Sequence, residues 1–172
     1  MMIHIKPRSC SRSDAQLHCE HKVMRAIIGK NGVTKDKQEG DHATPIGIFS
    51  LRQVFYRADR IQKPDTVLPV EALTIRDGWC DDPTHSAYNQ KISLPHSARH
   101  ESLWREDNVY DLIVVIGYND EKIKPGHGSA IFMHLQRENK APTEGCVALT
   151  EEDLRAVLAS GATAIHIHAS DD

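Results

Sequence analysis

The segment 150–161 carries helix signals at both ends, in a chain whose other apolar runs look like strands. Thr150 is a candidate N-cap with Asp153 three residues on, in the manner of a capping box. Glu151, Glu152 and Asp153 put negative charge at the positive end of the helix dipole. Leu154, Val157 and Leu158 form one apolar face, and Gly161 fits the position past the last turn. Residues 109–118 are the clearest buried strand and contain the longest apolar stretch, 112–117. Segments 47–56, 129–135, 146–149 and 164–169 add further strands. Segments 2–5 and 16–28 alternate with period two, which predicts Leu17, Cys19, His21 and Val23 on one face. Many strands and one helix predict a mainly-β domain.

Composition narrows the function classes. At 172 residues, with no repeat and no low-complexity linker, the chain is expected to form a single domain over 1–172. Lys and Arg total 21 against 24 Asp and Glu, so a net charge of −3 gives no electrostatic case for nucleic acid or an anionic membrane surface. No run approaches the roughly 20 apolar residues of a spanning helix. Cys10, Cys19, Cys80 and Cys146 are too scattered for a disulfide scaffold, and no C-x-x-C pair supports a zinc ribbon. No feature specifies an oligomeric state.

Several segments look informative and carry little. Segment 29–49 is punctuated by glycines and charges and reads as a long exposed turn. Its GKNG lacks phosphate-loop spacing, and Asp36, Glu39 and Asp41 lack calcium-loop spacing, so a solvated charged turn is expected. Segment 57–108 is poorly periodic, holds Pro64, Pro69, Pro83 and Pro95, and is expected to be a loop-rich insertion with a function or its own packing. Cys80 is expected to pack with Trp79. His166 and His168 share a strand face with no third ligand nearby, so they read as solvent-facing histidines on an edge strand, and no metal is assigned.

The chemistry concentrates in 131–154. His134 ends an apolar strand, and Cys146 follows twelve residues later, after a Pro-containing polar loop. A thiol becomes a strong nucleophile on losing its proton, and an imidazole can take that proton. A loop of this length lets the chain turn back and bring the two together. Gly145 lets the backbone pass close to a substrate carbonyl, where the Cys146 N–H and neighbouring N–H groups would meet an oxyanion. The plainer alternative is a small buried hydrophobe and a backbone-bonded histidine.

The order GSAIFMH, then PTEGCVAL, then an acidic capped helix resembles the catalytic core of the L,D-transpeptidase (YkuD-like) family. Upstream, GKNGVTKDKQEGDHATPIGIFSLR is similar to that family's glycine-rich DK-x-EGD-x-ATP-x-G-x-F signature. DGWCDDP, YNQ, LWRED and YDLIVVIGYND resemble one subgroup, and the resemblance spans 26–159. It implies a mainly-β, sandwich-like domain with one C-terminal helix, a loop-rich middle segment and a cleft beside a lid-forming loop. It implies Cys146 as nucleophile and His134 as proton acceptor and donor, with no metal or other cofactor. Gly145, Thr143 and Leu135 are then the expected substrate- and oxyanion-contacting positions. The implied partners are peptidoglycan stem peptides or muropeptides, cut between diaminopimelate and the terminal D-alanine through a thioester. A second stem amine would resolve that thioester into a cross-link, and water would make the reaction a carboxypeptidase.

The chain departs from the family pattern. Many members carry Ser-His-Gly-Cys where this chain has Thr143, Glu144, Gly145 and Cys146. The Arg common two residues later is Ala148, and the Gly often following the first His is Leu135. Arg137, or His127 from the preceding loop, is the expected substitute to meet a substrate carboxylate. The opening MMIHIKPRSC lacks the apolar core of a secretory signal, so the expected place is the periplasm or cell envelope if the true start differs or export uses another route, or else the cytoplasm with recycled muropeptides. A papain-like peptidase is disfavoured because there the Cys precedes the His. A non-catalytic wall-binding β-domain would use the same cleft without the thiol.

Overall fold

The computed structural model describes residues 1–171. The chain runs β1 (Met2–Pro7), β2 (Asp14–Cys19), β3 (Lys22–Ile27), β4 (Val33–Thr34), β5 (Thr44–Pro45), β6 (Gly47–Tyr56) and β7 (Val70–Ala72). It continues β8 (Asp77–Cys80), β9 (Lys91–Ser93), β10 (His100–Ser102), β11 (Leu112–Ile116), β12 (Phe132–Leu135), β13 (Val147–Leu149), α1 (Glu151–Ala159) and β14 (Ala164–Ile167). The fold is mainly β with one helix, as the segment signals predict.

The main sheet runs β11-β12-β13-β3-β2-β1-β14-β6-β7, and β11 also pairs with β6. That pairing closes eight of the strands into a barrel and leaves β7 attached outside β6. Alternation along each strand then separates inside from outside. Ile3, Ile5, Leu17, Val114, Met133, Val147, Ile165 and Ile167 fill the interior and are fully buried. Leu154, Val157 and Leu158 of α1 join that core. The helix starts where its sequence signals place it: Thr150 Oγ1 accepts the Asp153 N–H at 3.2 Å. Gly161 follows the C-cap with φ +82°, a left-handed conformation suited to glycine.

A second core lies outside the barrel. Ile113 and Val115 of β11 and Phe132 of β12 point outward and pack under Phe55, Trp79, Leu103 and Tyr110. β11 is thus buried on both faces, which is why its sequence is a continuous apolar run rather than an alternating one. The cover comes from 57–108. That segment is more regular than its sequence suggests: it holds β7 to β10, and β10-β8-β9 form a separate sheet. Strands of three or four residues are too short to show a period.

Three further expectations change. Segment 16–28 is a hairpin, not one strand. Glu20 takes φ +52° at its turn, and Cys19 pairs with Lys22, so Leu17 lies opposite Met24. Pairing an odd with an even residue swaps the inward parity: Met24 and Ala26 face the core, while Val23 is 57% exposed. Segment 29–49 is not a solvated turn, because Lys37, Ala43 and Thr44 are buried and β4 pairs with β5. Cys80 packs with Ile92 and Ala98, on the face of β8 opposite Trp79. All four cysteines are free.

Candidate active site

β12 and β13 run parallel, with Met133 beside Val147, His134 beside Ala148 and Leu135 beside Leu149. Met133 and Val147 point into the barrel, so His134 and Ala148 face out. Two residues back along each strand, Phe132 and Cys146 share the second core. Parallel pairing thus brings the predicted imidazole and thiol onto one outer surface. Both line a cleft of about 600 Å³ walled by the 29–49 loop, the 57–108 insertion and the loop before Cys146.

The thiol is nine-tenths buried. Its Sγ donates to the Ala130 carbonyl at 3.2 Å and accepts the Phe132 N–H at 3.4 Å. His134 is equally buried, with Nδ1 2.9 Å from the Leu135 carbonyl oxygen. A carbonyl only accepts, so Nδ1 carries the proton and Nε2 holds the lone pair. Tyr110 stands edge-on to the ring at 5.4 Å between centroids. Among the described residues no hydrogen bond joins Cys146 to His134; the thiol proton goes to the Ala130 carbonyl instead.

Burial sets the charge state of both groups. It pushes the thiol up to about 12, with Glu101 and Glu144 adding to the rise against the opposing Phe132 N–H. It pushes the imidazole down to about 4, aided by the cations Arg137 and Arg105 and opposed by the bond to Leu135. The resting pair is therefore a neutral thiol and a neutral imidazole.

The loop before Cys146 is braced by Thr143. Its Oγ1 donates to the Cys146 carbonyl at 2.6 Å and accepts the Gly145 N–H at 3.2 Å. Its backbone bonds Ile28 and Lys30, tying the loop to the end of β3. Gly145 sits at φ +137°, and a Cβ there would stand 2.8 Å from the Ala43 carbonyl oxygen, so glycine is required. The Gly145 N–H is committed to Thr143 rather than facing the cleft. Leu135 is also reassigned. Its side chain faces the barrel interior and its N–H donates to the Val109 carbonyl, so it serves the site through the carbonyl that fixes His134.

The 29–49 loop contributes a second network. The buried Lys37 ammonium pairs with Asp41, which also accepts the N–H groups of Gln38 and Ala43. Burial works to raise Asp41, but those bonds outweigh it and hold the carboxylate below its ordinary value. Glu39 Oε1 accepts the Tyr88 hydroxyl at 2.7 Å and the Ser129 hydroxyl at 2.5 Å. Asp41 and Glu39 are thus bonded into a folded wall.

Of the two substitute cations, Arg137 lines the cleft, 3.5 Å from Asp107. His127 is not part of the lining; its carbonyl accepts the Tyr118 hydroxyl. The sequence reading missed Glu101, Arg105, Tyr110 and Arg99, which enter from the insertion and its flank. LWRED and YDLIVV contain two of them, but nothing local distinguishes a cleft-facing arginine from a surface one.

A family model for the L,D-transpeptidase catalytic domain (YkuD) matches residues 16–162. Comparison with curated proteins finds no match, and comparison with solved structures finds none either. The matched span runs from β2 past the end of α1 and includes both His134 and Cys146, and the chain belongs to the L,D-transpeptidase catalytic-domain family.

Proposed function

We propose that the protein is a cysteine acyltransferase that cuts the bond between diaminopimelate and D-alanine in peptidoglycan stem peptides. The observation that carries this reading is the shared outward face of His134 and Cys146 on one cleft. Substrate carbonyl binding displaces the thiol from Ala130. Sγ attacks the carbonyl carbon as its proton passes to His134 Nε2, and the Cys146 N–H meets the oxyanion. The C–N bond breaks, the imidazolium returns the proton to the leaving D-alanine amine, and a thioester remains. An amine of a second stem, or water, attacks the thioester and gives its proton to Nε2; the C–S bond breaks and the departing thiolate takes that proton, restoring the thiol and the neutral imidazole.

The charge pattern of the cleft supports a stem peptide. Arg99, Arg105 and Arg137 line the cleft together with Glu39, Glu101 and Glu144. Such a mixed surface suits a ligand carrying both carboxylates and an amine, and Arg137 takes the place of the arginine replaced by Ala148. Peptidoglycan as the site of action implies an envelope location or recycled muropeptides.

The test is mass spectrometry of the intact protein after incubation with a carbapenem, alongside tetrapeptide muropeptides scored for D-alanine loss and new dimers. Wild type gains one inhibitor mass and releases D-alanine; Cys146→Ala does neither. Dimers identify an amine acceptor, and tripeptides alone identify water. Muropeptide binding that survives Cys146→Ala, with no turnover by wild type, would instead establish a non-catalytic wall-binding domain.

A further inference from the structure

On the wall of the barrel formed by β1 and β14, three histidines converge. β1 and β14 are parallel neighbours with His4 directly beside His166, and His168 follows two residues on. Ile3, Ile5, Ile165 and Ile167 are fully buried, so alternation turns all three imidazoles outward. The His168 N–H donates to the Ile5 carbonyl, which pins its backbone to β1. β14 lies between β1 and β6 and is not an edge strand, so these histidines stand on a continuous sheet.

His4 Nδ1 lies 3.0 Å from His168 Nε2, and the rings of His166 and His168 stack at 3.7 Å. One nitrogen from each ring falls within 4.8 Å of the others, and all three residues are half-buried. His4 is the third ligand that the sequence could not supply, because it lies 164 residues from His168.

We propose that His4, His166 and His168 bind a divalent transition-metal ion, Zn2+ by the chemistry of a three-imidazole set, with water in the fourth position. Zinc bonds to nitrogen of about 2.0–2.1 Å in a tetrahedron put ligand atoms about 3.3 Å apart. The His4–His168 pair, at 3.0 Å, needs only a small opening to reach that spacing, and His166 closes the set by side-chain rotation. In the bond between His4 and His168 one nitrogen accepts and the other donates; the donor ring shifts its proton to its other nitrogen, so both facing lone pairs turn to the metal. Imidazole nitrogens favour Zn2+ and its transition-metal neighbours over Mg2+ or Ca2+. The ion clips together two strands that are remote in sequence, so it binds the folded chain and stabilises it by mass action.

The experiment titrates Zn2+ calorimetrically into the Cys10→Ser/Cys146→Ala protein, which removes the exposed thiol and the cleft thiol, and repeats the titration with Co2+ to read tetrahedral d–d absorption. One ion binds per chain, and the melting temperature rises with metal. His4→Ala, His166→Ala and His168→Ala each weaken binding by at least about tenfold. His18→Ala, an outward neighbour paired with His4 but bonded to Gln16, leaves it unchanged. Should any one variant fail to fold, the other two decide. Equal affinity in the parent and in the His166→Ala/His168→Ala double variant overturns the assignment, as does a Co2+ spectrum without tetrahedral bands.

Discussion

The Tyr110 hydroxyl donates to Glu101 Oε1 across 2.6 Å in the wall of the cleft that holds Cys146. Burial raises the Glu101 carboxyl from an ordinary 4.5 to about 7, although the tyrosine bond pulls the other way. Glu101 in turn joins burial in raising the Tyr110 phenol well above its usual range. Folding therefore favours the protonated acid. Its stabilising contribution is complete below about pH 4.5 and is lost as pH rises through 7.

Glu101→Gln keeps an acceptor for Tyr110 and removes the titration. Relative to wild type, the variant should gain on the order of 2 kcal/mol between pH 5 and pH 8. Urea denaturation at the two pH values measures this. A stability difference independent of pH would mean that Glu101 titrates as an ordinary carboxylate.

The free thiol should be slow and featureless in its pH response. With Cys146 at about 12 and His134 at about 4, iodoacetamide alkylation climbs steadily from pH 5 to 10 without a plateau. No inflection falls near 6.5, the ordinary histidine value, because the imidazole stays neutral across that range. Peptide mapping of Cys146 follows the rate. A plateau beginning near pH 7 would reveal a thiolate–imidazolium pair in the resting protein.

Gly145→Ala places a methyl 2.8 Å from the Ala43 carbonyl and forces an L-residue to φ +137°. The expected cost is about 2–3 kcal/mol, with loss of acyl transfer because Cys146 moves with the loop. Thermal melting and carbapenem acylation check it together; an unchanged melting point would show that the loop gives way freely.

Thr143→Val removes a donor to the Cys146 carbonyl and an acceptor for the Gly145 N–H, whereas Thr143→Ser retains both. Turnover should fall about tenfold in the valine variant and stay near wild type in the serine one, a change of roughly 1.4 kcal/mol. The comparison is made as kcat against KM for D-alanine release. Equal turnover in the two variants would leave Thr143 with no positioning role.

Much of the fold around the site was legible because strand signals are local. The apolar run of β11, the apolar strand ending at His134 and the capped start of α1 each depend on a few neighbouring residues. The hairpin at Glu20 was not legible, since one two-residue turn changes the parity of every later position. Nor were Glu101 and Arg105, whose segment lacks periodicity, or Tyr110, whose direction depends on the core it covers.

From residue order alone, this chain's β-rich class and its single helix could be read, because each rests on short-range pattern, whereas Cys146 and His134 stood out through a family resemblance. Folding decided which strands became neighbours. Closure of β11 onto β6 and the parallel pairings of β12 with β13 and β1 with β14 join residues far apart in the chain. Those pairings fix which faces are buried, and burial makes the Cys146–His134 pair neutral and gathers His4 with His166 and His168. Desolvation and ligand geometry depend on neighbours in space, which no run of adjacent residues specifies.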